Sequence, residues 1–188
     1  MTKSKQSWLV AGIVLLALVL DQVSKVYIKT HFQLGEAREV FSWFWIVFVE
    51  NNGMAFGIEW FSKLLLTLFR IVAVGVIGWY IHTMIRKQTV RTGYLATIAM
   101  VMAGAMGNII DCVFYGKIWE YAGWFHGRVV DMLYFPLIRN AAGECLFFRP
   151  VFNIADSFIT VAVFLVIIFY RKDLDESLNQ IFPKKENA

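Results

Sequence analysis

Four long apolar runs dominate the 188-residue sequence and set what it can fold into. A helix needs about 20 mostly apolar residues to cross the hydrocarbon of a bilayer. Windows at Trp8–Ile28, Leu64–Ile85, Tyr94–Phe114 and Ile154–Tyr170 meet that need. The segment Val40–Val49 is equally apolar but too short to cross as a helix, and its Val, Ile, Phe and Trp content predicts a strand. Asn51-Asn52-Gly53 follows as a turn signal, and Ala55–Trp60 continues as a second aromatic-rich piece. Lys3 and Lys5 ahead of the first run imitate the start of a signal peptide. No small-x-small cleavage site follows, however, and Asp21-Gln22 comes directly after Leu20, so a retained helix is expected.

Composition points the same way. The chain is 59% apolar and 17% charged, whereas a soluble domain carries about 25% charged residues. A disordered chain is excluded and an ordinary soluble domain disfavoured. The net charge of +4 reads as positive-inside bias rather than as a phosphate-binding face, so no nucleic-acid partner is expected. Two cysteines outside a CxxC pair do not make a disulfide scaffold. The expected fold class is a mostly α membrane protein: one integral domain over residues 1–188, with four transmembrane helices, a small outer interfacial β platform and an outer loop or short helix.

The loop between the second and third runs carries Arg86, Lys87 and Arg91 and no acid. Lys3, Lys5, Arg171 and Lys172 fall on the same side of a four-span chain, so both termini are expected in the cytoplasm. Residues 29–63 and 115–153 then lie outside, and 171–188 form a short cytoplasmic tail. Five of the seven tryptophans (Trp43, Trp45, Trp60, Trp119, Trp124) are in those outer segments. Trp prefers the headgroup level, so the outer segments are expected to lie on the membrane.

Ionisable groups in a span are expensive, and here they gather at one leaflet. Asp21 and Lys25 end span one, Asn108 and Asp111 end span three, and Asn153 and Asp156 open span four. Asn51 and Asp131 are in the outer segments. Asp21 and Lys25, at i,i+4, can simply pair. Ala99, Ala103 and Gly107 form a small-residue stripe better suited to helix packing than to chemistry. Asp111, Asp131 and Asp156 at one depth suggest a functional cluster. No HExxH occurs, and the three histidines are scattered. Cys112 has no histidine beside it in sequence, and the G-x-S-x-G elbow is missing. Paired carboxylates remain: in a poorly solvated site they share a proton, so that one takes a proton from water while the other donates to a carbonyl oxygen. Such chemistry needs no metal and no cofactor.

These blocks, in order, resemble the lipoprotein signal peptidases (signal peptidase II). Asp21-Gln22-Val23-Ser24-Lys25 is similar to the family's D-Q-x-[ST]-K, and Asn51-Asn52-Gly53-Met54-Ala55-Phe56 to N-x-G-x-A-F. Gly107-Asn108-Ile109-Ile110-Asp111 resembles G-N-x-x-D, Val129-Val130-Asp131 resembles V-V-D-F, and Phe152-Asn153-Ile154-Ala155-Asp156 resembles F-N-x-A-D. The resemblance implies that Asp131 and Asp156 are the catalytic dyad. It implies supporting or substrate-binding roles for Asp21, Lys25, Asn51, Gly53, Asn108, Asp111 and Asn153. It further implies cleavage before a diacylglyceryl-modified cysteine at the outer face of a bacterial inner membrane, by a monomer in contact with membrane lipid, with globomycin as inhibitor.

Three features depart from the family pattern. Cys112 stands where the family has Arg, with Arg128 as one possible source of the missing cation; Met132 replaces Phe; and the stretch from Asp111 to Asp131 is longer than usual. Cys112 and Cys145 both fall outside, where a disulfide can persist, but spacing does not place them within bonding distance. The rival reading is a small transporter or proton-coupled channel. Against it, the inner half offers only Arg70 and His82.

Overall fold

The computed structural model describes residues 1–52, 59–139, 145–147 and 150–182. Helix α1 (Lys3–His31) leads into an antiparallel hairpin, β1 (Ala37–Phe41) and β2 (Phe44–Asn51). Helices α2 (Glu59–Lys87) and α3 (Thr92–Ile110) follow. The third helix continues through a π-helical segment (Asp111–Tyr115) into a last turn, α4 (Gly116–Ile118). Strands β3 (Val129–Tyr134), β4 (Ile138–Arg139), β5 (Cys145–Phe147) and β6 (Val151–Phe152) precede helices α5 (Ile154–Phe169) and α6 (Arg171–Ile181).

Among the described residues, three helices are long and apolar enough to cross a membrane, and α5 with α6 makes a fourth candidate bent by 91°. The four apolar windows fall on α1, α2, α3 with its π-helical extension, and α5. Much of their outward surface is large and apolar, with Leu15, Leu16, Phe69, Val72, Phe164 and Ile168 exposed, as suits helices bathed in lipid. Between helices, close approach replaces the hydrophobic effect as the organising force. A Cβ on Gly104 would lie 2.4 Å from the Ala155 carbonyl oxygen, and one on Gly107 would lie 2.5 Å from Asp21 Oδ2. The small-residue stripe therefore serves packing, and at Gly107 it also admits a carboxylate.

Two sequence expectations are corrected. Val40–Val49 is not one strand: the chain reverses at Ser42-Trp43, so the segment holds the end of β1, a turn and most of β2. Residues 171–181 of the expected tail form a helix, with Leu174 and Ile181 against the apolar core of Val10, Ile81, Met84, Tyr94 and Leu95. Asn51 closes β2 rather than opening a turn, and Gly53 and most of Ala55–Trp60 lie outside the described residues.

The sheet runs β1-β2-β3-β6, antiparallel throughout. One face packs Phe48, Val130 and Met132 on Ile28 and Phe32 of α1 and on Tyr115. Because strand side chains alternate, Asp131 and Asn51 point away from that face. Val49 opposes Asp131 and Asn51 opposes Val129 in the β2–β3 register. An aromatic ladder at the hairpin tip links Phe41, Trp43, Phe44, Phe135 and Phe152 through stacked rings.

Candidate active site

The carboxylates and amides singled out from sequence converge where α1, α3, β3 and α5 meet. Asn153 is the N-cap of α5: its Oδ1 accepts from the Asp156 backbone N–H at 2.9 Å, satisfying an orphan amide of the first turn. Its Nδ2 donates to Asp131 Oδ1 (2.7 Å) and to Asn108 Oδ1 (3.2 Å). Asn108 in turn donates from Nδ2 to Asp156 Oδ1 at 2.8 Å. Asn51 donates to Asp131 Oδ2 at 3.1 Å. Asp131 and Asp156 are thus joined through two asparagine amides.

Lys25 fixes the sense of this lattice. An ammonium can only donate, and Nζ donates to Asn108 Oδ1 at 3.0 Å, which turns the Asn108 NH2 toward Asp156. The same Nζ is 2.9 Å from Asp21 and 2.8 Å from Asp111, all three side chains being buried. The i,i+4 pair foreseen for Asp21 and Lys25 is therefore one edge of a larger cluster. Asp21 Oδ1 also accepts from the Ala155 N–H at 2.9 Å, and Asp111 Oδ2 from the Val130 N–H at 3.3 Å. Each carboxylate so ties a second segment to the lysine: the first turn of α5, and the residue before Asp131.

Asp131 is 2% exposed. Burial, aided by the negative charge of Asp156, pushes its carboxyl up to about 6, against hydrogen bonds from Asn51 and Asn153 and the field of Lys25. Among the described residues, Asp156 Oδ2 receives no hydrogen bond, so one carboxylate oxygen of the pair is open to a further donor. No three His, Cys, Asp or Glu among the described residues converge to hold a metal ion. An apolar groove of about 530 Å³ runs beside the site, lined by Leu20, Val23 and Tyr27 of α1, Met132 and Leu133 next to Asp131, and Ile154.

The signal peptidase II family model matches residues 13–171. The chain belongs to the signal peptidase II family. Lipoprotein signal peptidase from Porphyromonas gingivalis is 42% identical, over 90% of this chain and 86% of that protein. Its counterpart from Amoebophilus asiaticus is 34% identical, over 94% of this chain and 84% of the relative. A solved structure described as a bacterial membrane enzyme superposes with a TM-score of 0.65 at 27% identity, covering 95% of this chain and 93% of the other.

The departures from the family pattern now have a structural setting. Arg128, offered as one source of the cation missing at Cys112, has its guanidinium 2.9 Å from Glu50. Arg70 reaches the buried Cys112 thiol from α2, Nη1 to Sγ 3.4 Å, so its guanidinium lies toward the end of the bundle that carries the site. No disulfide joins Cys112 and Cys145. The longer 115–128 segment folds over the π-helical turn. The Phe125 and Gly127 amides bond the Val113 and Cys112 carbonyls at 3.0 and 2.9 Å. A Cβ at Gly127 would meet the Asp111 carbonyl oxygen at 1.9 Å, so only glycine lets this loop sit so close.

Sequence reasoning missed Gln22, which donates to Asp21, Asp111 and the Gly107 carbonyl and accepts from the Tyr115 hydroxyl. It stood between two chosen residues of the first block, and its polarity within an apolar span was the available signal. Gly53 lies outside the described residues.

Proposed function

We propose that this member of the signal peptidase II family is a membrane aspartic endopeptidase that removes signal peptides from diacylglyceryl-modified prolipoproteins, with Asp131 and Asp156 as its catalytic pair. The observation that carries the reading is the junction of these two carboxylates through Asn153 and Asn108, with the Asp156 charge raising the Asp131 carboxyl. The pair shares one proton. Its ionised member takes a proton from water, which attacks the carbonyl of the residue before the lipidated cysteine. Its protonated member gives its proton to the carbonyl oxygen. Collapse of the tetrahedral intermediate breaks the C–N bond, returns a proton to the leaving amine and leaves a carboxylate on the signal peptide. The titration belongs to the pair, so neither aspartate has a fixed role.

The substrate's lipid is anchored at the headgroup boundary, and the apolar groove beside Met132, Leu133 and Ile154 offers its tails a wall next to the scissile bond. The aromatic ladder from Phe41 to Phe152 serves as the interfacial platform over the peptide. The acid-free Arg86–Arg91 loop supports a topology with both termini in the cytoplasm and the site at the outer face of the bacterial inner membrane. Asp21, Lys25, Asn51, Gly53, Asn108, Asp111 and Asn153 position the pair or hold the substrate backbone. The enzyme works as a monomer without metal or cofactor, and globomycin inhibits it.

Purified protein given one prolipoprotein with and without the diacylglyceryl group tests this reading. Cleavage of the lipidated form alone, blocked by globomycin, is expected; equal cleavage of the unlipidated form, or of neither, contradicts it.

A further inference from the structure

Behind Asn51 lies an ion cluster that the chemistry above does not use. Glu50, 10% exposed, accepts from Lys29 Nζ at the outer end of α1 and from Arg128 Nη1 at 2.9 Å. Lys29, 7% exposed, also sits over the rings of Phe48, Trp119 and Tyr121, 5.2–5.5 Å from their centroids. The Arg128 guanidinium covers Tyr121, whose hydroxyl accepts from the Arg128 backbone N–H at 2.7 Å. One carboxylate therefore joins three segments: α1, the end of β2 and the residue just before β3.

Strand geometry gives this junction its consequence. Glu50 and Asn51 are neighbours on β2 and point to opposite faces. Glu50 opposes Val130 and Asn51 opposes Val129, so the Glu50–Arg128 tie spans the strand pair where Asn51 is presented to Asp131. A register shift between Ile46 and Val49 separates this end from the β1–β2 hairpin. The hairpin end cannot enforce the pairing of Asn51, and a slip of one residue would turn Asn51 to the other face.

We infer that Lys29, Glu50 and Arg128 are positioning residues for the reaction: their ion cluster locks the β2–β3 register that holds Asn51 against Asp131. The inference rests on the catalytic role proposed for Asp131. Burial raises the Glu50 carboxyl, but the hydrogen bonds from Lys29 and Arg128 outweigh it and hold Glu50 below its usual range. Lys63 of α2 is the other charge in its field. Asp131, on the opposite face, meets Asp156 and Lys25 as charged neighbours and Asn51 and Asn153 as donors.

Glu50→Gln, Asn51→Ala and the double variant test the inference on a lipidated peptide. In Glu50→Gln, kcat is expected to fall about tenfold with KM held within about twofold. The acid limb of the kcat–pH profile should move to higher pH, because Asp131 loses a hydrogen bond that favours its ionised form. In the Asn51→Ala background the Glu50→Gln change should cost under about twofold, since its effect passes through Asn51. An equal loss in both backgrounds, a kcat loss with an unmoved acid limb, or no loss overturns the inference. Arg128→Gln removes a half-exposed guanidinium, and the same pattern at smaller size is expected should Glu50→Gln fold poorly. Hydrogen exchange over residues 44–51 and 129–134 needs no substrate: faster exchange is expected in both variants, and unchanged protection overturns the inference. Wild-type and Asp131→Asn rates, taken alongside, report separately on the peptidase reading.

Discussion

At the end of the helix bundle far from the site, polar groups have polar partners. Asp173 of α6 accepts from the Arg91 backbone N–H, Nε and Nη2 at 2.9, 2.8 and 2.6 Å, closing the tail onto the α2–α3 loop. Tyr80 bonds Tyr94 at 2.6 Å and also reaches Ser177, and Gln6 donates to Thr92 at 3.0 Å. At the end that carries the site, Asp21 and Asp111 share one buried lysine, Lys25, and the buried Asp131 lies in the field of both Lys25 and Asp156. Paired polar groups at a helix end fasten a fold. Surplus buried carboxylates lower stability and persist where their proton affinity is useful. The contrast bears on the channel reading too, because a relay needs polar groups along its whole length. Arg70, expected in the inner half, reaches outward to Cys112.

The largest effect should come from removing Lys25, the cation that Asp21 and Asp111 share. Lys25→Met leaves Asp21 and Asp111 buried without a counter-charge, a loss of about 3–5 kcal/mol. Folded yield and unfolding in detergent are the measure, and adding Asp111→Asn should recover part of the loss. If Lys25→Met is as stable as wild type, the outer cluster is not held by that ammonium, and the contrast between the ends fails.

An intermediate effect of opposite sign is expected at Asp131. Its folded-state carboxyl titrates near 6, above the usual carboxylate value, so ionisation costs stability as pH rises through that range. Asp131→Asn should be more stable than wild type above pH 6, by about 1–3 kcal/mol, with the gap closing near about pH 4. A Tm series across pH reads this out; a variant less stable at every pH would mean that the charge is not buried at a cost.

The smallest effect belongs to the inner end. Asp173→Asn should lower Tm by a few degrees and leave the cleavage rate on a lipidated peptide unchanged. A large loss of rate at constant Tm would show the two ends to be coupled.

Much of this contrast is legible in the sequence, for a physical reason. Asp21, Lys25, Asn108, Asp111 and Asp156 are conspicuous because each interrupts or bounds an apolar run, where a polar side chain needs a partner. The hairpin was hidden because its turn, Ser42-Trp43, contains none of the Gly, Asn, Asp or Pro residues that mark reversals. The α5–α6 bend was hidden because Phe169-Tyr170-Arg171 contains no helix breaker. The Lys29–Glu50–Arg128 cluster joins residues up to 99 positions apart, all within outer segments where charge is unremarkable. Arg70 lies about a third of the way along the Leu64–Ile85 window, so its place in that window was already at odds with an inner-half reading.

The central claim is that Asp131 and Asp156 together perform the hydrolysis. Single-turnover cleavage of a diacylglyceryl-modified prolipoprotein by wild type, Asp131→Asn and Asp156→Asn tests it most directly. Each near-isosteric change should lower the rate by about 10³-fold or more, and the double variant should be no slower than either single one, because the pair acts as a unit. Substrate binding should be kept. Cleavage within about tenfold of wild type in either single variant would contradict the account.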